Sequence, residues 1–406
     1  MSITKNIRNY YIYSTFAELL ILGPIFMLFF VAKGLSYTQI MTLNSVAAVS
    51  VVLFEVPTGA IADKIGRKFS MCLGAIFWAI SLLVYILGTN FFIFMIAEVI
   101  FSIGATLKSG ADTALIYDSL KSKNNEHRFQ KIEGTARSLS LCAQAIGSII
   151  ASYIYEININ LPMIVSIGFM IITVIVALRF DEPSIKKEND DTIQYFKQIK
   201  DSGKYIFNHE KIKAILAFSM VFYIFYRAGF LYFQPYMKAV DIPVKTFGVV
   251  FFIFNITAAL VSKISDRIMS KTKPKTLTFM AALLIVSFIL LGLVKVEVGV
   301  IFILLQQIAR GLYRPVTRKY LNKHIPSDKR ATILSFQNLA TSLASAIFYP
   351  LIGILLDNTN IFTSHLVLAG AMIVMMFFAT RYMDKRLGVA FKEESGKKKF
   401  KTENKE

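Results

Sequence analysis

Long apolar stretches recur along the whole chain, each separated from the next by a short polar break. A helix that crosses a bilayer needs about 20 predominantly apolar residues. Stretches of that size fall at 9–32, 38–62, 69–88, 91–118, 134–155, 162–180, 211–238, 245–268, 275–294, 298–320, 331–356 and 362–381. The pattern predicts an all-α integral membrane protein with twelve transmembrane helices. The longest polar break begins at Asp181-Glu182-Pro183 and leaves six spans on each side. It divides the chain into an N-terminal six-helix half (1–180), a linker (181–210), a C-terminal six-helix half (211–382) and a basic tail (383–406). In the linker, Ile193, Phe196 and Ile199 recur at helical spacing among Lys197, Gln198 and Lys200, which predicts an amphipathic helix on the membrane face. Two six-helix halves are a layout that secondary carriers use. Faint echoes support a pseudo-symmetric repeat: Gly34-Leu35-Ser36 follows span one as Asp241-Ile242-Pro243 follows span seven, and Asp63 ends span two as Asp266 ends span eight.

Composition agrees, with 55% hydrophobic and 17% charged residues. A net charge of +19 raises nucleic acid as a partner, but its distribution argues against one. The predicted outer loops hold only Lys33, Lys238, Lys245 and Lys295, while the inner loops and tails hold most of the 45 Lys and Arg. The positive-inside rule then places both termini in the cytoplasm of a multi-pass cell-membrane protein. The tail Lys397-Lys398-Lys399-Phe400-Lys401 reads as a solvated, disordered end near anionic lipid headgroups. Cys72 and Cys142 fall in different spans, so no disulfide framework is expected. No Gly-x-x-x-x-Gly-Lys-Ser/Thr phosphate loop is present. His127, His209, His324 and His365 lie in or near loops, far apart in sequence. A primary pump and an enzyme are both disfavoured, and no cofactor or metal is expected.

Buried charge locates the chemistry. Spans three, six, nine and twelve carry no interior Asp, Glu, Lys or Arg. Spans one, four, seven and ten carry Glu18, then Glu98, Lys108 and Asp112, then Arg227, then Arg310 and Arg314. Each such group costs about 2.5–3.5 kcal/mol at mid-bilayer on insertion scales, so four facing lipid would cost on the order of 10 kcal/mol. Lining one aqueous cavity removes that cost. Glu18 and Glu55 are each either a proton carrier or a structural hydrogen-bonding group. Lys108 and Asp112, four apart, can pair on one helix face. Arg310 and Arg314, also four apart, want an anionic partner, whether Glu18, Asp112 or part of a substrate, and Arg227 has the same choice. Glu98 sits two turns from the outer end, within reach of an outer vestibule. Tyr10, Tyr11 and Tyr13 suit an interfacial belt. The aromatics of span seven, Phe222 to Phe233, read mostly as packing.

Between spans two and three stands Gly59-Ala-Ile-Ala-Asp63-Lys64-Ile-Gly66-Arg67-Lys68. Its basic residues alone would fit an ordinary inner turn. Two glycines, an aspartate and a basic pair at these offsets resemble motif A of the major facilitator superfamily. The resemblance implies the major facilitator fold, with helices one, four, seven and ten around the cavity, in agreement with the charge pattern. It also implies a gate of Gly59, Asp63, Gly66, Arg67, Lys68 and Asp118. In it Asp63 lies near the start of helix eleven, about Ala331-Thr332, and Arg67 pairs with Asp118. Gly147-Ser148-Ile149-Ile150-Ala151-Ser152 in span five is similar to the family's antiporter motif but lacks its proline, which leaves the direction of transport open. Tyr349-Pro350-Leu351-Ile352-Gly353 in span eleven partly echoes it. The chain is most similar to the twelve-helix drug:proton antiporter branch. That implies a monomer that exports drug-like or amphipathic small molecules against protons, by rocking of two halves around a midplane cavity. Glu18, Lys108, Asp112, Arg227, Arg310 and Arg314 would line the cavity, with Glu18 or Asp112 carrying the proton and Glu55 in reserve. Partners are then a small-molecule substrate, protons and membrane lipids. The alternative is proton-coupled transport of a small organic anion, because the basic cavity residues outnumber the acids placed there.

Overall fold

The computed structural model describes residues 3–19, 21–182, 203–272, 275–326 and 329–403, with side chains up to Arg386 apart from Ala331. The linker stretch of Ile193, Phe196 and Ile199 lies outside them. The described residues contain no strand. The helices are α1 (Ile3–Ala17), α2 (Phe26–Ala32), α3 (Tyr37–Ile65), α4 (Arg67–Leu87), α5 (Phe91–Lys108), α6 (Ala111–Lys121), α7 (Phe129–Ile157) and α8 (Leu161–Leu178). They continue with α9 (Glu210–Ala239), α10 (Val244–Lys263), α11 (Ser265–Thr272), α12 (Thr276–Leu293), α13 (Ile303–His324), α14 (Arg330–Asn358) and α15 (Ile361–Glu403). They build the twelve spans of an integral membrane protein. Among the described residues, ten helices are long and apolar enough to cross a membrane on those criteria alone. Span one falls outside that count because it is broken, and span ten because α13 carries Arg310, Arg314, Arg318, Lys319 and Lys323.

Three spans expected to be continuous are interrupted, the mildest case being span eight, which breaks at Ile264 between α10 and α11 near its inner end. Span one splits into α1 and α2 around Gly23-Pro24, where Pro24 has no N–H to donate, and Glu18 is the first residue of the break. Span four splits at Ser109–Gly110, where Gly110 takes φ +75°, a conformation that suits glycine. The basic tail also differs from expectation, since the backbone of α15 runs as one helix to Glu403.

The turns after spans one and seven do correspond. Gly34 and Asp241 both have positive φ, +86° and +58°. In each turn the following residue donates back five positions, Leu35 N to Phe30 O and Ile242 N to Met237 O, both at 3.0 Å. This is the bonding of a Schellman cap, and Ser36 with Gln39 then closes a capping box on α3.

The described chain forms two compact units. One takes Met1–Thr192, Gln234–Asn255 and Ser345–Thr359, and the other Ile193–Phe233, Ile256–Ala344 and Asn360–Glu406. In the first, α4 and α5 meet along a seam of small and hydroxylic residues. Ser70 Oγ donates to Leu107 O (2.6 Å), Ser81 Oγ to Ala97 O (2.8 Å) and Trp78 Nε1 to Phe101 O (3.1 Å). A Cβ on Gly74 would lie 2.8 Å from Gly104 O, and one on Gly104 would lie 2.8 Å from Gly74 O. Small residues at such a crossing let the backbones touch and pack without help from the hydrophobic effect. In the second unit, Gly311 of α13 lies against the backbone of Ala258 in α10 in the same manner.

Gly104→Val should therefore destabilise the fold by about 1–3 kcal/mol, the cost of overpacking a close-packed site. Gly134→Ala, at a helical glycine with open space around it, should be neutral or slightly stabilising. Thermal unfolding in detergent checks both, and equal midpoints would refute the seam.

Candidate functional site

The helix breaks set the site. Because α1 ends at Ala17, the carboxylate of Glu18 is carried on irregular backbone beside the last residue of α5. Lys108 Nζ donates to Glu18 Oε1 at 3.1 Å, and Gln144 Nε2 donates to Glu18 Oε2 at 2.5 Å. Both charged side chains are mostly buried, 24% exposed for Glu18 and 15% for Lys108. Lys108 Nζ also lies 5.4 Å from the centre of the Trp78 ring, a distance at which the ring face attracts a cation.

The expected pairing of Lys108 with Asp112 does not form, because the break at Gly110 removes the shared helix face. Lys108 turns to Glu18 instead. Asp112 falls in the first turn of α6, where its Oδ1 accepts from Thr113 N at 2.7 Å and the helix dipole favours a negative charge. Its charged neighbours are Lys108 and Glu133. Glu133 accepts a short hydrogen bond from the Tyr10 hydroxyl, and Arg137 lies within electrostatic reach of Glu18. The cluster thus gathers the carboxylates Glu18, Asp112 and Glu133 with the cations Lys108 and Arg137, one acid more than the cations balance.

Several sequence expectations change here. Tyr10 and Tyr13 are 2% and 0% exposed, so they belong to the bundle interior and not to an interfacial belt. Their phenol groups suit burial because each finds an acceptor, Glu133 for Tyr10 and Met71 O at 3.4 Å for Tyr13. Glu98 is 4% exposed, which removes it from any vestibule, and its Oε1 has no hydrogen-bond partner among the described residues. Glu55 is exposed on α3 and no described contact ties it to the cluster. His365 is buried at the start of α15 and packs between Tyr232 and Phe288. Sequence reasoning missed Glu133, Arg137 and Gln144. The available signal was the stripe Glu133, Arg137, Ser140, Gln144 and Gly147, polar or small at helical spacing along one apolar helix.

The motif A residues form a second construction in the same unit. Gly66 takes φ +99° between α3 and α4. Glu182 caps α4 there, its two oxygens accepting from Arg67 N and Lys68 N, both at 2.8 Å. The Arg67 side chain donates to Ala114 O at 2.6 Å and forms a close ion pair with Asp118. Those two side chains are 18% and 16% exposed. Lys5 pairs with Asp181 at 2.6 Å, and Asn6 exchanges hydrogen bonds with the Asp181 backbone. The starts of α1 and α4, the middle of α6 and the chain after α8 are thereby fastened together. Asp63 is exposed near the end of α3, and Gly59 has open space around it.

The second unit holds the arginines. Arg310 is half-buried and donates to Gln307 Oε1 at 3.2 Å. Arg314 is exposed. The Arg227 guanidinium lies 5.2 Å from the Phe230 ring centre. Tyr313 stacks on Phe222 (5.2 Å, 11°) and donates to Ser219 O at 3.3 Å. Most span-seven aromatics are core, with Phe222, Phe225, Tyr232 and Phe233 all buried. Among the described residues no cluster of His, Cys, Asp and Glu could hold a metal ion.

Comparisons with known proteins add identity to this geometry. The sequence profile of the Major Facilitator Superfamily matches residues 11–303 and 275–405. The uncharacterized MFS-type transporter YxaM of Bacillus subtilis (strain 168) is 24% identical over 343 residues, 82% of this chain and 85% of that protein. Quinolone resistance protein NorA of Staphylococcus aureus (strain Mu50 / ATCC 700699) is 25% identical over 139 residues, 34% of this chain and 35% of its own. The crystal structure of the nucleoside transporter NupG superposes with a TM-score of 0.73 at 16% identity, covering 94% of this chain and 99% of that one. A likeness of that depth carries the fold, while the profile spans nearly the whole chain. With its twelve spans and a charged cluster set in broken helices, this chain belongs to the major facilitator superfamily, as a multi-pass membrane transporter and not an enzyme.

Proposed function

We propose that this transporter exports amphipathic, drug-like small molecules in exchange for protons, with both termini cytoplasmic. Two six-helix halves, 1–180 and 211–382, rock around a midplane cavity in a monomer. The observation that carries the reading is the surplus carboxylate of the cluster. Three acids facing two cations leave one negative charge in the cluster, which a proton or the cationic group of a substrate neutralises, each displacing the other. Such competition for one charge is what antiport requires. The partial similarity to NorA, a quinolone resistance protein, supports a drug-like substrate. The second reading, transport of a small organic anion, is favoured by Arg227, Arg310 and Arg314 in the other unit.

Motif A supplies the inner gate in this reading. Arg67 and Asp118 are mostly buried and paired, so removing one leaves the other charge without its partner, a loss of several kcal/mol for a desolvated pair. Asp63→Asn or Arg67→Ala should nearly abolish transport while the protein still inserts. Flux measured at matched membrane abundance checks this, and near-normal flux in either variant rejects the gate.

Coupling is tested separately. Proton uptake on substrate addition should be lost in Glu18→Gln or Asp112→Asn, with Glu55→Gln close to wild type. Unchanged stoichiometry in both of the first two would place the coupling group elsewhere.

Substrate charge decides between the two readings. Under drug export, Arg310→Gln and Arg314→Gln should leave flux of a cationic dye within about threefold of wild type, a change of under 1 kcal/mol. Selective loss of anion flux, with cation flux intact in vesicles of either pH polarity, would promote the organic-anion reading.

A further inference from the structure

The first unit contains a set of helix caps that motif A does not involve. α3 is 29 residues long, about 43 Å at helical rise, so its start at Tyr37 lies far from the motif A end. At that start the carboxylate of Asp357, from the end of α14, accepts two backbone bonds, Oδ1 from Tyr37 N at 2.9 Å and Oδ2 from Thr38 N at 2.7 Å. One turn earlier on α14, Gly353 lies so close that a Cβ there would be 2.6 Å from Thr38 Cα. A parallel arrangement joins α7 and α10. Glu156, at the end of α7, accepts from Lys245 N in the first turn of α10 at 3.0 Å, and Gly248 of α10 touches the backbone at Ser148 and Ile149.

In chain order α3 and α10 belong to the second and eighth spans, and α14 and α7 to the eleventh and fifth. Six spans separate the members of each pair, which is the repeat already seen in the matched turns at Gly34 and Asp241. Each carboxylate therefore ends a span of one sequence half and caps the first turn of a span from the other half. The first N–H groups of a helix have no partner of their own and the dipole favours a negative charge there. Gln234 adds a neutral version, accepting from Met27 N (3.0 Å) and Leu28 N (3.3 Å) in α2 and donating to Gly23 O (2.9 Å).

We propose that Asp357 and Glu156 are a repeat-related pair of latches, positioning residues that hold the transporter shut on its outer face and must let go each time it opens outward. Each latch closes a seam between sequence halves, Asp357 on the second and eleventh spans and Glu156 on the fifth and eighth. The proposal rests on the carrier reading and its orientation, but its test reads conformation and not flux.

Met41 is fully buried on α3, one turn below Thr38. In full-length protein in membranes, with Cys72 and Cys142 replaced by Ala, the variant Met41→Cys is exposed to a membrane-impermeant maleimide from the outside, without substrate or pH gradient. Labelling should rise about tenfold in Asp357→Asn, a factor that corresponds to about 1.4 kcal/mol. It should rise further when Glu156→Gln is added, and return towards the parent rate in Asp357→Glu. Tyr37→Pro attacks the same bond from the donor side, because proline is well tolerated at the first helical position while its N–H is lost; it should raise labelling too. Glu297→Gln, which neutralises an exposed outer acid away from the seam, should not. Parent-level labelling in both Asp357→Asn and Tyr37→Pro at matched abundance would overturn the latch, as would an equal rise in Glu297→Gln. Absence of drug flux in wild type would sink the proposed function and leave these labelling results to stand or fall alone.

Discussion

A charge inside a membrane must be paired or wetted, and this molecule is arranged around that cost. Insertion scales put an ionisable side chain at about 2.5–3.5 kcal/mol at the bilayer centre, so Glu18 and Lys108 are tolerable only together. The 3.1 Å contact between them depends on two broken helices. An unbroken first span would carry Glu18 on a regular helical face, and an unbroken fourth span would set Lys108 above Asp112 on one face. With both helices broken, Lys108 reaches across to span one, and Asp112 keeps a helix N-terminus as its favourable surroundings. The breaks are therefore part of the electrostatics and not defects in the spans.

The same economy recurs wherever helices meet. A helix start offers unsatisfied N–H groups and a partial positive charge, and among the described residues of the first unit carboxylates from distant sequence meet that need three times. Glu182 does so at α4, Asp357 at α3 and Glu156 at α10. A bond of this kind involves backbone that the helix must present in any conformation, so it constrains orientation without demanding a matching side chain. It also breaks cleanly, because water satisfies the released N–H groups. A device with that property suits an interface that must open and close in a transport cycle better than interlocked apolar packing, which has no such replacement.

Much of the architecture was readable from sequence because apolar length and the positions of charged residues are both governed by the bilayer. Twelve spans, the charge-free third, sixth, ninth and twelfth, and the paired turns at Gly34 and Asp241 follow from hydropathy and spacing. The helix breaks were not read, although Gly23-Pro24 and Gly110 were visible, because a glycine or proline inside an apolar run is compatible with either a kink or a full break. That ambiguity carried into the site. Pairing Lys108 with Asp112 assumed a continuous helix, and placing Tyr10 in an interfacial belt assumed that its hydroxyl sought water when its partner is Glu133. Gln144 escaped notice because a neutral side chain leaves no mark in a search for charge. Its contribution, a hydrogen bond to the oxygen that Lys108 leaves free, emerges only once α7 is placed beside α1.

The cluster's charge balance bears on how a carrier of this family can be tuned. A site with equal numbers of acids and cations needs no further ligand, and binding to it must first break an existing pair. A site with one acid in excess is different, because neutralisation by a proton or by a cation is a gain in either case. Glu18 is held by hydrogen bonds from Lys108 and Gln144, whereas Asp112 meets Lys108 only at longer electrostatic range, with Glu133 beside it. In the proposed exchange, the negative charge offered to a ligand lies on the Asp112 and Glu133 side of the cluster, where Tyr10 is bonded to Glu133 and Asp112 stands in the first turn of α6. The contact between Glu18 and Lys108 joins the broken ends of spans one and four.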